Sequence, residues 1–133
     1  MLLIDTSIWV KILRKNSEEF KQTLTEAIDG RDYYLSRFTQ TELLQGCLDE
    51  KEWSTLQSYL EVQDYIDPSI ESWTAAARIY YDLRRQGITV RNTIDCCIAA
   101  SAIEHELLLL HIDKDFEAIA TGTPLNQLRL NSQ

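Results

Sequence analysis

The stretch LLLLHIDKDF, residues 107–116, decides the fold. A largely apolar run at 107–112 is followed at once by Asp113 and Asp115, and the apolar pattern resumes at Phe116. A short, continuously apolar run of this kind is typical of a strand that is buried on both faces of a parallel sheet. The stretch therefore predicts a buried strand with two carboxylates just beyond its carboxyl end.

Strands and helices alternate along the rest of the chain. Apolar runs predict further strands at 1–4, 33–35, 65–66 and 128–130. Helical patterns predict a helix capped by Ser7 that ends near Arg14, a helix from Ser17 that stops at Gly30, and helices at 38–48, 50–62, 69–86 and 93–106. This alternation predicts an α/β fold, an α/β/α sandwich with a central, mostly parallel sheet. Because no linker or repeat interrupts the pattern, residues 1–133 are expected to form a single domain.

Composition limits the partners and the cellular location that can be expected of the protein. The chain carries 13 Lys and Arg against 21 Asp and Glu, a formal net charge of -8, which argues against a general electrostatic grip on nucleic acid. It shows neither the apolar region of a signal peptide nor a run long enough to span a bilayer. The three cysteines have no metal-ligand spacing. A cytoplasmic protein without membrane contact is expected.

Four acids fall where ligand sites form in parallel sheets. Asp5 follows the first strand and Asp113 follows the strand at 107–112, so both should emerge at the same edge of the sheet. Asp95 lies in the first turn of its helix at the head of an apolar stripe, and Glu42 also lies in an early helical turn. Together they favour one site.

Each acid alone also has a simpler explanation. Glu42 follows Thr39 at the spacing of a capping box, and a helix dipole would favour Asp95. Asp5 could cap the first helix, and Asp113 with Asp115 could cap a short helix after the strand. Helix capping by itself does not explain why two acids at strand ends and two at helix starts should share one edge.

A cluster of carboxylates near an apolar core needs a cation, because like charges repel strongly there. Oxygen ligands select Mg²⁺ or Mn²⁺, and such an ion can drive hydrolysis of a phosphodiester. His105 and His111 are interpreted as a residue at a helix end and a residue in a strand, not as a base or a ligand.

Four motifs in order carry a family resemblance: LLIDTSIWV, TQTELLQG, TIDCCIAASA and LLLLHIDKDF. The chain resembles the PIN domain, and in particular the VapC-like toxins of bacterial toxin–antitoxin pairs. The resemblance implies an endoribonuclease that depends on Mg²⁺ or Mn²⁺ and cleaves RNA. It also implies a homodimer and inhibition by a cognate antitoxin protein.

The resemblance also implies roles for single residues. Asp5, Glu42, Asp95 and Asp113 match the family's catalytic acidic quartet, and Ser7 matches the small hydroxyl residue that supports the metal or its water. The expected metal ligands are Asp5, Asp95, Asp113 and Asp115. Family members place the last acid at either position of the DKD pattern, so either Asp113 or Asp115 could be the closer ligand. Asp113 is favoured, with Asp115 as an outer or second ligand.

An acidic chain could still hold RNA along a local basic rim. The candidate contacts are Lys11, Arg14, Arg84, Arg85, Arg91 and Lys114. Residues 38–62 carry more apolar positions than one face of a sheet requires. A toxin of this kind would cover such a surface with its antitoxin or with a second copy of itself.

Three other functions remain as alternatives. A receiver-like signalling domain also binds Mg²⁺ at strand ends, but it needs an acid pair after the first strand, where this chain has the single Asp5. A haloacid-dehalogenase-type phosphatase needs a second aspartate at position 7, which is Ser7. A non-catalytic interaction protein with the same fold is the third possibility.

Overall fold

A five-stranded parallel sheet forms the centre of the protein in a computed structural model, which describes residues 1–130. The last three residues of the predicted domain, 131–133, lie outside the described part. The strands are β1 (Leu2–Ile4), β2 (Tyr33–Ser36), β3 (Tyr65–Ile66), β4 (Leu108–His111) and β5 (Gln127–Arg129). Their order across the sheet is β3-β2-β1-β4-β5, and each pairing of neighbours is parallel. The predicted α/β architecture with a mostly parallel sheet is confirmed.

Helices cover both faces of this sheet. They are α1 (Thr6–Lys15), α2 (Glu18–Ile28), α3 (Arg37–Gln45), α4 (Glu50–Glu61), α5 (Ile70–Arg85), α6 (Thr93–Glu104) and α7 (Lys114–Thr121). Buried residues of α5, α6 and α7 form one apolar cluster with Leu3 of β1. Buried residues of α1 to α4 form a second cluster with Leu2 and Ile4, on the other face of the same strand. The layers are therefore helix, sheet and helix.

The central strand β1 is apolar throughout because helices cover it on both sides. Leu2, Leu3 and Ile4 are each buried almost completely. Burial of one such side chain stabilises a fold by about 1.5–3 kcal/mol. A polar residue within β1 would forfeit that contribution and leave an unpaired group in the core.

The register places the ends of the two central strands side by side. Ile4 pairs with Leu110, and the Asp5 N–H donates to the Leu110 carbonyl at 2.9 Å. Asp113 lies three residues further along the chain than Leu110 and caps α7. The carboxyl ends of β1 and β4 thus bring Asp5 and Asp113 to one edge of the sheet, as the sequence predicts.

The first helix begins earlier than the sequence predicts. Asp5, not Ser7, is its N-cap, and the Asp5 side chain accepts a hydrogen bond from the Ser7 N–H. The prediction of Ser7 as the cap is wrong because the carboxylate that leaves β1 already satisfies this backbone donor. Ser7 lies in the first turn of α1, and its hydroxyl is used elsewhere.

Two helices are shorter than predicted. Helix α3 ends at Gln45 and not at 48, because Asp49 caps the next helix by accepting from the Glu52 N–H at 2.8 Å. Helix α6 ends at Glu104 and not at 106, since Glu106 adopts a left-handed φ of 55° where the chain turns towards β4. The other predicted elements agree to within about two residues. Within residues 1–130, none of the helices has the length and apolar character of a membrane span.

Candidate metal centre

A cleft of about 470 Å³ opens at the carboxyl edge of the sheet. Its lining side chains are Asp5, Thr6, Ser7, Glu42, Arg91, Asn92, Asp95, Asp113 and Asp115. Five of these residues carry carboxylates, and they come from chain segments separated by up to 110 positions. All four acids that the sequence singles out, together with Asp115 and Ser7, therefore lie in one cleft.

Asp5 lies at the floor of the cleft and is held by Ser7. The Asp5 Oδ2 atom accepts from the Ser7 hydroxyl at 2.6 Å and from the Ser7 N–H at 3.0 Å. The same hydroxyl accepts a hydrogen bond from the Ile112 N–H at 3.1 Å, which links α1 to the end of β4. Burial raises the pKa of Asp5, and the hydrogen bonds from Ser7 lower it in part. Ser7 thus fixes the orientation of the carboxylate.

Glu42 reaches the cleft from α3 and is held by a residue of α1. The Thr6 hydroxyl donates to Glu42 Oε1 at 2.9 Å and lies 2.9 Å from the Thr39 hydroxyl. The capping box with Thr39 does not form, because Ser36 caps α3 through the Thr39 N–H. Burial raises the pKa of Glu42, the hydrogen bond from Thr6 lowers it, and the charge of Asp5 raises it.

Asp113 and Asp115 lie where β4 meets α7. Asp113 caps α7, and its Oδ1 atom accepts from the Asp115 N–H at 2.9 Å. Behind them His111 is completely buried at the end of β4, and its Nδ1 atom accepts from the Asp113 N–H at 3.0 Å. His111 Nε2 is therefore the protonated nitrogen, and it donates to Gln127 Oε1 at 2.6 Å. As predicted, His111 is a strand residue, and it supports the backbone of Asp113.

Asp95 occupies the first turn of α6 and faces the other carboxylates. Burial, and then the charges of Asp5, Asp113, Asp115 and Glu42, raise the pKa of Asp95 to about 7. An acid with this pKa is only about half ionised at neutral pH unless a cation binds beside it. A bound cation would therefore favour the ionised form of Asp95.

Three of the carboxylates are close enough to share one ion. Single carboxylate oxygens of Asp95, Asp113 and Asp115 lie within 4.8 Å of one another. Asp5 and Glu42 line the same cleft but do not belong to this group of three. An oxygen-only donor set of this kind fits Mg²⁺ or Mn²⁺ and disfavours zinc, which prefers nitrogen and sulfur ligands.

The family follows from a match over nearly the whole chain. Residues 2–122 match the model of the family described as PIN domain. The chain belongs to the PIN-domain family. The matched span begins in β1, ends just after α7, and includes all five carboxylates of the cleft.

Curated relatives of this PIN domain are ribonucleases by name. The chain is 38% identical to VapC ribonuclease Mb1587 of Mycobacterium bovis over 94% of its own length and 96% of the relative. The same figures hold for Ribonuclease VapC11 of Mycobacterium tuberculosis. Ribonuclease VapC51 of Mycobacterium tuberculosis is 31% identical over 92% of this chain and 88% of that relative.

Solved structures share the PIN-domain architecture at lower identity. A crystal structure of VapBC2 from Rickettsia felis bound to a promoter DNA fragment matches with a TM-score of 0.79, at 21% identity, and covers 98% of both chains. FitAcB from Neisseria gonorrhoeae matches with a TM-score of 0.71, at 23% identity, and covers 96% of both chains. At these identities the likeness concerns the fold.

The basic residues proposed from the sequence occupy different parts of the PIN domain. Arg91 lines the cleft, and Lys114 is exposed at the first position of α7. Arg84 and Arg85 are exposed in the last turn of α5. The other two lie on α1: Arg14 lines a neighbouring groove, and Lys11 lies over the Phe20 ring at 4.9 Å.

Two cleft residues of the PIN domain escape the sequence analysis. Thr6 holds Glu42, and Asn92 caps α6 by accepting from the Ile94 N–H at 2.9 Å. Asn92 three residues before Asp95 is a recognisable N-cap signal that could have been found. The contact between Thr6 and Glu42 joins residues of two helices that are 36 positions apart in the chain, and no local sequence pattern predicts it.

A second depression borders the metal cleft. A groove of about 670 Å³ lies between α1, α3 and α4, and Glu42 lines both the groove and the cleft. Trp9, Leu43, Leu56 and Tyr59 supply much of its apolar wall. The Trp9 indole N–H is buried and has no hydrogen-bond partner among the described residues. This PIN domain therefore has an apolar groove that leads directly to its acidic cleft, in the region where the sequence predicts excess apolar surface.

Proposed function

We propose that this chain is a divalent-metal-dependent endoribonuclease and the toxin of a toxin–antitoxin pair, acting as a single domain over residues 1–133. The observation that carries the proposal is the convergence of five carboxylates in one cleft of a PIN domain. Curated relatives at 38% identity over nearly the whole chain carry the name ribonuclease. A site made of oxygen donors that faces solvent suits a phosphodiester substrate.

The residues of the cleft have two proposed roles, binding of a cation and transfer of protons. Asp5, Asp95, Asp113 and Asp115 are the proposed holders of Mg²⁺ or Mn²⁺, with Ser7 keeping Asp5 in place. When bound, the ion would supply a Lewis acid for the scissile phosphate and its attacking water. Glu42 is tied at Oε1 by Thr6, so its Oε2 atom is available to accept a proton from water in the cleft.

Dependence on a divalent ion is the direct test of this function. A labelled structured RNA should be cleaved by the protein in Mg²⁺ or Mn²⁺, because the carboxylates repel one another and the phosphate unless a cation is present. Excess EDTA should stop cleavage, and added Mn²⁺ should restore it. Gel analysis of the fragments over time measures the rate. Cleavage that continues unchanged in EDTA would contradict the proposal.

RNA contacts are proposed at Lys11, Arg14, Arg84, Arg85, Arg91 and Lys114. Support is strongest at the end of α5, which leads through residues 86–92 into the cleft. There the Arg84 guanidinium lies 5.7 Å from the centre of the Tyr80 ring, and the Arg85 guanidinium lies 5.6 Å from that of Tyr81. Exposed arginines held against aromatic rings can contact phosphates while the rings stack on bases.

Salt dependence tests the contacts at the end of α5. The double variant Arg84→Gln/Arg85→Gln should bind single-stranded RNA more weakly and lower the slope of log affinity against log salt by about 1.4, since each lost phosphate contact removes about 0.7. Fluorescence anisotropy in EDTA, which prevents metal-dependent cleavage, measures both quantities. Arg31→Gln changes an exposed arginine in the loop after α2 and should leave the slope unchanged. An unchanged slope in the double variant would remove these residues from the RNA surface.

The apolar groove between α1, α3 and α4 is the proposed binding site of the antitoxin. An apolar segment of the antitoxin would fill it and reach Glu42 at the edge of the cleft. Exposed Leu48 and Val62 at the two ends of α4 extend the apolar surface beyond the groove. Apolar surface outside the groove is the proposed contact of a homodimer in the cytoplasm. Light scattering at two protein concentrations tests the homodimer, since a strict monomer would leave that surface to the antitoxin.

A further inference from the structure

Arg91 is the one cationic side chain among the nine described residues that line the metal cleft. It faces five carboxylates there, so the charges in the cleft do not balance. Arg91 precedes α6 and is not part of a helix or strand. Its position therefore depends on its contacts.

The contacts of Arg91 form a bridge between two acids. Its Nε atom donates to Asp115 Oδ2 at 3.0 Å, and its Nη2 atom donates to Asp113 Oδ1 at 3.3 Å. The Arg91 side chain is 66% exposed, whereas the Asp115 side chain is only 7% exposed. The guanidinium thus stands at the mouth of the cleft and covers acids that lie deeper.

Each of these two acids keeps one oxygen out of the bridge. Both hydrogen bonds that the Asp113 carboxylate accepts end on Oδ1, and the one that the Asp115 carboxylate accepts ends on Oδ2. Asp113 Oδ2 and Asp115 Oδ1 accept no hydrogen bond from residues 1–130. A cation can therefore use these oxygens while the guanidinium stays beside it, at the cost of repulsion between two positive charges.

We propose that Arg91 is an intrinsic counter-cation that neutralises Asp113 and Asp115 in the metal-free protein and weakens metal binding to the same carboxylates. The inference rests on the proposed function, because the competing cation is the metal of that site. Arg91 acts through the two acids and is therefore a positioning residue. Its bridge holds the acids together before the metal arrives and keeps the metal exchangeable.

Metal affinity tests the competition without RNA. Isothermal titration calorimetry with Mn²⁺ should show binding that is roughly threefold to fivefold tighter in Arg91→Met than in the unaltered protein, the upper part of the range expected when a mostly exposed charge is removed. Arg91→Lys keeps the charge and should remain within about twofold of the unaltered protein. Arg129→Met removes a matched exposed arginine, one that pairs with Glu117 at 2.9 Å away from the cleft, and should change nothing.

Thermal unfolding in EDTA tests whether Arg91 neutralises Asp113 and Asp115 in the metal-free protein. Arg91→Met should lower Tm by about 2–5 °C, because the carboxylates then repel one another without compensation. Arg91→Lys should recover most of this loss, which a purely structural role of the arginine fork would not allow. The Lys variant keeps the comparison usable if Arg91→Met folds poorly.

Three possible results distinguish a failure of this inference from a failure of the proposed function. Weaker Mn²⁺ binding by Arg91→Met, with normal binding by the unaltered protein, would overturn the role of Arg91 and leave the metal site in place. Absence of Mn²⁺ binding by the unaltered protein would overturn both. Failure to cleave RNA while Mn²⁺ still binds would overturn the ribonuclease and leave the result for Arg91 standing.

Discussion

Asp95→Asn should abolish metal-dependent RNA cleavage, with kcat lowered by at least about a hundredfold, since even the partners that only orient metal ligands are worth 10-fold to 100-fold. The amide removes one negative charge from the group formed by Asp95, Asp113 and Asp115, whose oxygens lie within 4.8 Å of one another. It also replaces a carboxylate oxygen by a weaker neutral ligand. Initial rates on a labelled RNA in saturating Mn²⁺ measure the loss.

The control for this loss is a chemically identical change outside the cleft. Asp67→Asn alters an exposed aspartate between β3 and α5 and should cleave at the unaltered rate. Asp5→Asn should lose activity as Asp95→Asn does, because Asp5 lies on the floor of the same cleft. Equal cleavage by all four proteins would identify a contaminating nuclease and refute the assignment of these acids.

The strand ends show how far the sequence alone leads. Asp5 and Asp113 are placed correctly because an apolar run followed by an acid marks the end of a strand, and parallel strands end at one edge. The sequence could not decide between capping and a metal site for them. The structure shows why, since each acid caps its helix through one oxygen and also lines the cleft. The two explanations are compatible.

Contacts between distant segments set the limit of the prediction. Glu42 has the spacing of a capping box with Thr39, but its partner is Thr6 on another helix. Arg91 resembles any other basic residue in the sequence, and only the placement of residues 86–92 brings it to Asp115. Helix ends such as that of α3 depend on which of two nearby caps prevails. Such choices are made by tertiary packing, and local propensity does not encode them.

The metal-free form of Asp95→Asn should be more stable than the unaltered protein at pH 8, by about 1–3 kcal/mol in the free energy of unfolding. The pKa of Asp95 is raised to about 7 in the folded state, above 3.8 in the unfolded chain. The folded protein therefore keeps this proton up to about pH 7, whereas the unfolded chain loses it above about pH 4. Stability of the unaltered protein consequently falls as the pH rises from about 4 to about 7, and the penalty is complete above pH 7. Urea unfolding in EDTA between pH 4 and pH 8 measures the difference.

The pH dependence distinguishes the metal site from a helix-dipole role for Asp95. The advantage of Asp95→Asn should shrink as the pH falls below 7 and vanish near pH 4, where the folded and unfolded states both hold the proton. A favourable interaction with the dipole of α6 would give the opposite sign, a loss of about 0.3–1 kcal/mol at neutral pH. Asp67→Asn should have the same free energy of unfolding as the unaltered protein at every pH from 4 to 8. A gain in metal-free stability together with a loss of cleavage is the combination expected of a carboxylate held against repulsion for a cation, and a capping residue would not produce it.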